Sequence, residues 1–144
     1  MDHCDAALLL KNSNIRATAK KRALLEEIIG SENPRSASDL HLSLSALFPL
    51  DLVTVYRSLT TMRDAGILRE ITDASGVQHY EMACVHNPLH PHFSCAKCKS
   101  LSCLRSLSGG EEQLLSGFAS DCDVDGISVI LSGVCSECRE GEEL

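Results

Sequence analysis

Two Cys-x-x-Cys pairs, Cys95-Ala-Lys-Cys98 and Cys135-Ser-Glu-Cys138, lie far apart in a chain of 144 residues. A two-residue spacer lets both sulfurs of a pair face one ion from a tight turn, so four thiolates from two pairs suit tetrahedral zinc. The long gap between them requires a small folded unit, not one hairpin, to bring the two knuckles together. Disulfides or separate redox dithiols are the competing uses of such pairs. The amino terminus, Met1-Asp2-His3-Cys4-Asp5, is acidic where a secretory signal is basic, and the apolar run Ala6 to Leu10 is too short for export or membrane spanning. A cytoplasmic protein with no membrane partner is therefore expected. In a reducing cytosol its eight cysteines serve as ligands, buried thiols or sensors rather than crosslinks.

The length allows one ordinary domain or two small ones, and 44% hydrophobic with 3% aromatic residues implies small aliphatic cores. Such cores commonly lean on a metal or a partner subunit. The net charge of -7 speaks against nucleic acid until it is divided along the chain. Residues 1 to 69 carry nine Lys or Arg against eight Asp or Glu, a net +1, which leaves -8 in the remainder. Between Lys11 and Arg22 five cations occur without one acid. A basic run of this kind gains meaning only beside a reading motif.

That motif follows. Thr18 is placed to cap a helix over 19–29 with an apolar stripe of Ala23, Leu24, Ile28 and Ile29, ended by Gly30. Ser36-Ala-Ser-Asp39 reads as a capping box with Asp in place of Glu, followed by Leu40, Leu44 and Leu47 at helical spacing up to Phe48-Pro49. Asp51 caps a third helix with Val53, Val55, Leu59 and Met62 along it and Ala65-Gly66 at its close. Residues 67–72 and 77–82 flank Asp73-Ala-Ser-Gly76 as a hairpin. Three helices and a hairpin make a winged helix. Its third helix would enter a major groove, with Thr54, Tyr56, Arg57 and Thr61 exposed and with Tyr56 and Arg57 suited to a thymine methyl and to guanine or phosphate.

Taken together, these segments resemble the ferric uptake regulator superfamily of metal-dependent bacterial repressors. The resemblance rests on Ile15-Arg-Ala-Thr18 with Arg22, Ser36-Ala-Ser-Asp-Leu40, Val53-Thr-Val-Tyr-Arg57-Ser-Leu59, Asp64-Ala-Gly-Ile67, His90-Pro-His92-Phe-Ser-Cys95-Ala-Lys-Cys98 and Cys135-x-x-Cys138. It implies an α+β homodimer: a winged helix-turn-helix DNA-binding domain over 1–83, a hinge with metal ligands over 84–91, and a small α/β dimerisation domain with the four-cysteine zinc site over 92–144. It also implies that Tyr56 and Arg57 contact operator DNA in the major groove and that Arg16 reaches into a narrow A·T-rich minor groove.

After the hinge, residues 93–95 and 100–104 read as strands, 111–119 as a helix and 127–134 as a strong strand whose edge would pair across a two-fold axis. Cys84, His90 and His92 are the local candidates for a regulatory site, and a thiolate with two imidazoles favours zinc over ferrous iron or manganese. Glu70, His79, Glu81 or His86 is available as a fourth ligand. Zinc uptake regulators within the superfamily are similar in combining a wing acid, a hinge cysteine and two histidines, which Glu70, Cys84, His90 and His92 match in spacing. Their acid is commonly aspartate. Iron-sensing members carry a histidine where this chain has Arg35, and Ile127 stands where a third family site has a histidine. Cys4, Cys103 and Cys122 receive no role. The reading is a zinc-responsive repressor of metal-uptake genes, not an enzyme, acting through a metal-locked dimer geometry. The alternatives are an iron- or peroxide-responsive repressor using Fe2+ or Mn2+, a thiol redox protein, and a zinc hydrolase.

Overall fold

The computed structural model describes residues 4–142 and divides into two compact units. The first comprises the chain up to Thr72 together with Gly76–Asn87; the second comprises Asp73–Ser75 and the chain from Pro88 onward.

The first unit contains α1 (Ala6–Asn12), α2 (Ala19–Ile29), β1 (Arg35–Ser36), α3 (Ala37–Leu44), α4 (Leu52–Asp64), β2 (Leu68–Thr72) and β3 (Gln78–Met82), and is a winged helix. Each principal helix starts where a side-chain oxygen satisfies an otherwise orphaned N–H. Thr18 accepts from the Lys21 N–H, Ser36 from that of Asp39, and Asp51 from that of Thr54 at 2.7 Å. Helix α4 stops at Gly66, whose φ of +80° lets the Ile67 N–H bond back to the Met62 carbonyl. The strands β1, β3 and β2 lie side by side in that order, antiparallel, with Leu68 opposite Met82 and Thr72 opposite Gln78. Gly76, at φ +89°, permits the turn between β2 and β3.

Leu24, Leu25, Leu40, Val55, Leu59 and Met62 are fully buried from α2, α3 and α4, and Tyr80 joins them from β3. Two elements of this unit went unread in the sequence. The short run Ala6 to Leu10 is a helix capped by Asp5, with Leu10 wholly buried in this core. β1 is only two residues long, too short to carry an alternating pattern. The second helix ends at Leu44, earlier than expected, and Leu47 is 74% exposed. The chain turns out of the helix there, and His41 bonds the carbonyl of Leu50, which packs into the core.

In the second unit, β4 (His92–Cys95) is central, antiparallel to β5 (Leu101–Cys103) and parallel to β6 (Ile130–Gly133). The final strand is shorter than 127–134, because its ladder is limited to the four residues of β4. Helix α5 (Gly109–Gly117) begins two residues before the expected Glu111. A capping box between Ser108 and Glu111 sets its start, with Ser108 Oγ accepting from the Glu111 N–H and Glu111 Oε1 accepting from the Ser108 N–H. Helix α6 (Ser136–Glu142) was not anticipated and opens inside the second Cys-x-x-Cys pair.

Buried hydrophobic side chains are sparse in this unit, Cys95 and Leu101 being the buried ones among its described residues. Leu114, Phe118, Leu131 and Val134 stay exposed, with Phe118 at 84%.

Candidate metal centres

The parallel pairing of β4 with β6 sets Cys95 opposite Gly133, so the turn after β4 and the turn after β6 emerge at the same end of the sheet. This is how two Cys-x-x-Cys pairs so far apart in sequence converge. Lys99 adopts φ +64° to close the first knuckle, and its N–H bonds the Cys95 carbonyl. Cys135 and Cys138 come from the end of β6 and from α6. The four sulfurs all lie within 4.8 Å of one another. Cys98 Sγ and Cys135 Sγ are 3.9 Å apart, close to the edge of about 3.8 Å that a tetrahedron with Zn–S bonds of about 2.3 Å requires. All eight cysteines are free thiols. The donor set fits zinc.

The electrostatics of the four thiols are uneven. Backbone N–H groups of Cys135 and Cys98 aim at Cys95 Sγ and hold its pKa down to about 6. Ser100, whose hydroxyl is 3.1 Å from Cys98 Sγ, lowers that thiol as well. Cys138 is pushed up to about 12, first by its hydrogen bond with Cys135 and then by burial. One sulfur is thus prepared as a thiolate while another keeps its proton until a cation displaces it.

A second cluster lies in the same unit. His92 pairs with Cys103 across the β4–β5 ladder, and His90, two residues earlier, sits beside it. The ligand atoms of His90, His92 and Cys103 are within 4.8 Å of one another, and the two imidazole centroids are 4.4 Å apart. Both histidines are buried, at 7% and 3% exposure, and Cys103 is half-buried. His90 Nδ1 lies 2.8 Å from the Pro88 carbonyl oxygen. A carbonyl only accepts, so Nδ1 carries the proton and Nε2 keeps its lone pair in the neutral ring, the arrangement found in metal-ligating histidines. Two buried imidazoles and a thiol form a donor set for a borderline cation.

Cys103 receives no role from the sequence, and the structure sets it beside both histidines. Its signal, a cysteine five positions after Cys98, becomes informative only once the hairpin register sets it against His92.

The other expected ligands belong to the first unit. Glu70 accepts from Arg63 Nη1 at 2.6 Å and from Gln78 at 2.8 Å. Glu81 is buried at 6% exposure and accepts from Arg69 Nε at 3.0 Å. His79 is also buried, while His86 is exposed. Cys84 Sγ lies 3.7 Å from Cys4 Sγ. Arg35 is held by Glu27 at 3.2 Å and Ser43 at 2.8 Å.

On α4 the buried positions Val55, Ser58, Leu59 and Met62 turn one face inward. Tyr56, at 44% exposure, and Arg57 point to solvent, and Arg16 is exposed on the loop before α2.

A family model described as the ferric uptake regulator family matches residues 12–107. The chain belongs to the ferric uptake regulator family. Among relatives of known role, the peroxide-responsive repressor PerR of Staphylococcus epidermidis is 28% identical over 132 residues, covering 91% of this chain and 86% of that protein. The crystal structure of the Vibrio cholerae ferric uptake regulator superposes with a TM-score of 0.74 at 26% identity, covering 91% of this chain and 100% of that one. A zinc uptake regulator complexed with zinc and DNA shares the fold at 22% identity and a TM-score of 0.65, over 96% of this chain and 93% of that one. No helix among the described residues is long and apolar enough to cross a membrane.

Proposed function

We propose that this chain is a metal-dependent, DNA-binding transcriptional repressor that works as a homodimer in the cytoplasm and responds to zinc. The observation that carries the reading is the cluster of buried His90 and His92 with half-buried Cys103, a donor set separate from the four-cysteine site and next to the hinge. One site then serves structure and the other serves sensing. In this reading Cys95, Cys98, Cys135 and Cys138 hold the structural ion. His90, His92 and Cys103 hold the regulatory one, with a wing carboxylate as a further ligand. Glu81 is the better candidate than Glu70 for that carboxylate, because it is buried where Glu70 is half-buried, and a desolvated carboxylate favours a cation beside it.

A bound cation supplies a fixed, high-affinity link among these donors. The chain's own residues then decide its effect. His90 at the end of the hinge, His92 on β4 and an acid on β3 come from both sides of the hinge in sequence, so joining them restricts the freedom of the α4 helices in a dimer. Shifting a population from mostly mismatched to mostly matched with two operator half-sites requires roughly 5.5 kcal/mol of differential affinity. A zinc site, contributing roughly 10 kcal/mol or more, covers that. Tyr56 and Arg57 would meet base edges and phosphates of the major groove, and Arg16 the minor groove. The exposed Leu114, Phe118, Leu131 and Val134 support a dimer interface.

The chain is read as a regulator, not as a thiol oxidoreductase or zinc hydrolase. Its matched relatives are regulators, and its two Cys-x-x-Cys pairs converge on one point instead of standing as isolated dithiols. A second reading, peroxide response through ferrous iron or manganese, draws support from the PerR relative. Against it stand the thiol at Cys103 and the engaged Arg35.

The test is anaerobic fluorescence anisotropy on a duplex selected by the protein, with zinc, ferrous iron and manganese titrated into chain whose four-cysteine site is already filled. Zinc is expected to restore binding at the lowest free concentration, and ferrous iron doing so instead would favour the second reading. Cys103→Ser is expected to lose the zinc response while Cys84→Ser keeps it. The reverse pattern would return Cys84 to the ligand set.

A further inference from the structure

The first unit holds a thiol pair that the regulatory reading does not use. Cys4, just before the Asp5 cap of α1, and Cys84, just after β3, are 80 residues apart in sequence with their sulfurs 3.7 Å apart. Both are half-buried and pack against the same hydrophobic core, so the contact is held from two sides. Two facing thiols at van der Waals distance need to close by roughly 1.6 Å to reach the bond length of about 2.05 Å, a movement within reach of χ1 adjustment. From this geometry we infer that Cys4 and Cys84 form a reversible thiol-oxidation site whose disulfide ties α1 to the segment leaving the wing, with a hydroperoxide as the oxidant.

Either sulfur can react first, and with Cys84 first Cys4 is the resolving thiol. The Cys84 sulfur, giving up its proton, attacks a peroxide oxygen, the O–O bond breaks, and the sulfur becomes a sulfenic acid while that proton leaves on the departing water, or on an alcohol from an organic hydroperoxide. Cys4 then attacks that sulfur and expels hydroxide, which takes up the Cys4 proton as water. Two thiols and one hydroperoxide thus give one disulfide, one water and one water or alcohol.

The test uses the full zinc-loaded chain and hydrogen peroxide near stoichiometry. Mass spectrometry is expected to show a loss of two hydrogens per chain, an unreduced crosslink between tryptic peptides 1–11 and 70–97, and reversal by dithiothreitol. Cys4→Ser and Cys84→Ser should each abolish the crosslink, and Cys122→Ser, at an exposed position, should keep it. Because the bond closes a long loop, the oxidised first unit should melt roughly 10 °C above the reduced one. If Cys84→Ser fails to fold, Cys4→Ser gives the same readout from near the terminus. A crosslink that survives Cys4→Ser, or alkylation showing Cys4 and Cys84 still free while other thiols oxidise, would overturn the inference.

Discussion

Removing the ion from the four-cysteine site should unfold the second unit and leave the first intact. The perturbation is a strong zinc chelator, or Cys98→Ser, which deletes one of the four converging sulfurs. The magnitude follows from burial. In the first unit, side chains such as Leu24, Leu25, Leu40, Val55, Leu59 and Met62 are at 0% exposure, and each fully buried aliphatic contributes about 1.5–3 kcal/mol. In the second unit Leu101 is the buried aliphatic among the described residues, worth about 2 kcal/mol on the same scale. A structural zinc site contributes roughly 10–16 kcal/mol. The ion therefore outweighs the local core several-fold, and the three-strand sheet with α6 cannot hold together without it. Hydrogen exchange read by mass spectrometry at fixed protein concentration is the assay, with metal content measured in the same samples. Amides of β4, β5, β6 and α6 should lose protection on metal removal, while those of α2 and α4 keep it. Full protection across residues 92–142 in demonstrably metal-free protein would refute the reasoning.

Three other outcomes are expected. Leu59→Ala, at a wholly buried position of α4, should destabilise the first unit by about 2–5 kcal/mol in urea titration, and a loss under 1 kcal/mol would mean the core relaxes around it. Arg57→Ala should weaken operator binding by about 1–3 kcal/mol with an unchanged melting temperature, since the side chain is exposed; equal binding would remove it from the DNA-reading set. Glu111, held down to about 2 first by Arg105 and then by Ser108, has its charged form favoured by folding. Its contribution is complete above pH 4.5 and lost as pH falls from 4.5 towards 2. Glu111→Gln should flatten the acid limb of stability in that window, and an unchanged acid limb would show that the pair is screened.

Much of the first unit could be read in advance because its signals are local. Thr18, Ser36 and Asp51 cap their helices through bonds three residues long, and Gly66 and Gly76 take the positive φ values that helix ends and hairpins call for. The proposed regulatory ligands were harder to read. His90 and His92 stood out as neighbours in sequence, but the importance of Cys103 depends on a strand register, and the Cys4–Cys84 contact depends on α1 packing onto a core formed by later elements.

The amino-acid sequence by itself determined the winged helix and the two paired-thiol knuckles, because caps, turns and Cys-x-x-Cys spacing act over a few residues and need no distant partner. Tertiary structure alone decided which thiol joins the two histidines, which acid is buried, and which pairs of cysteines meet. Those outcomes depend on strand pairing and core packing between segments tens of residues apart, and no local spacing encodes such distances.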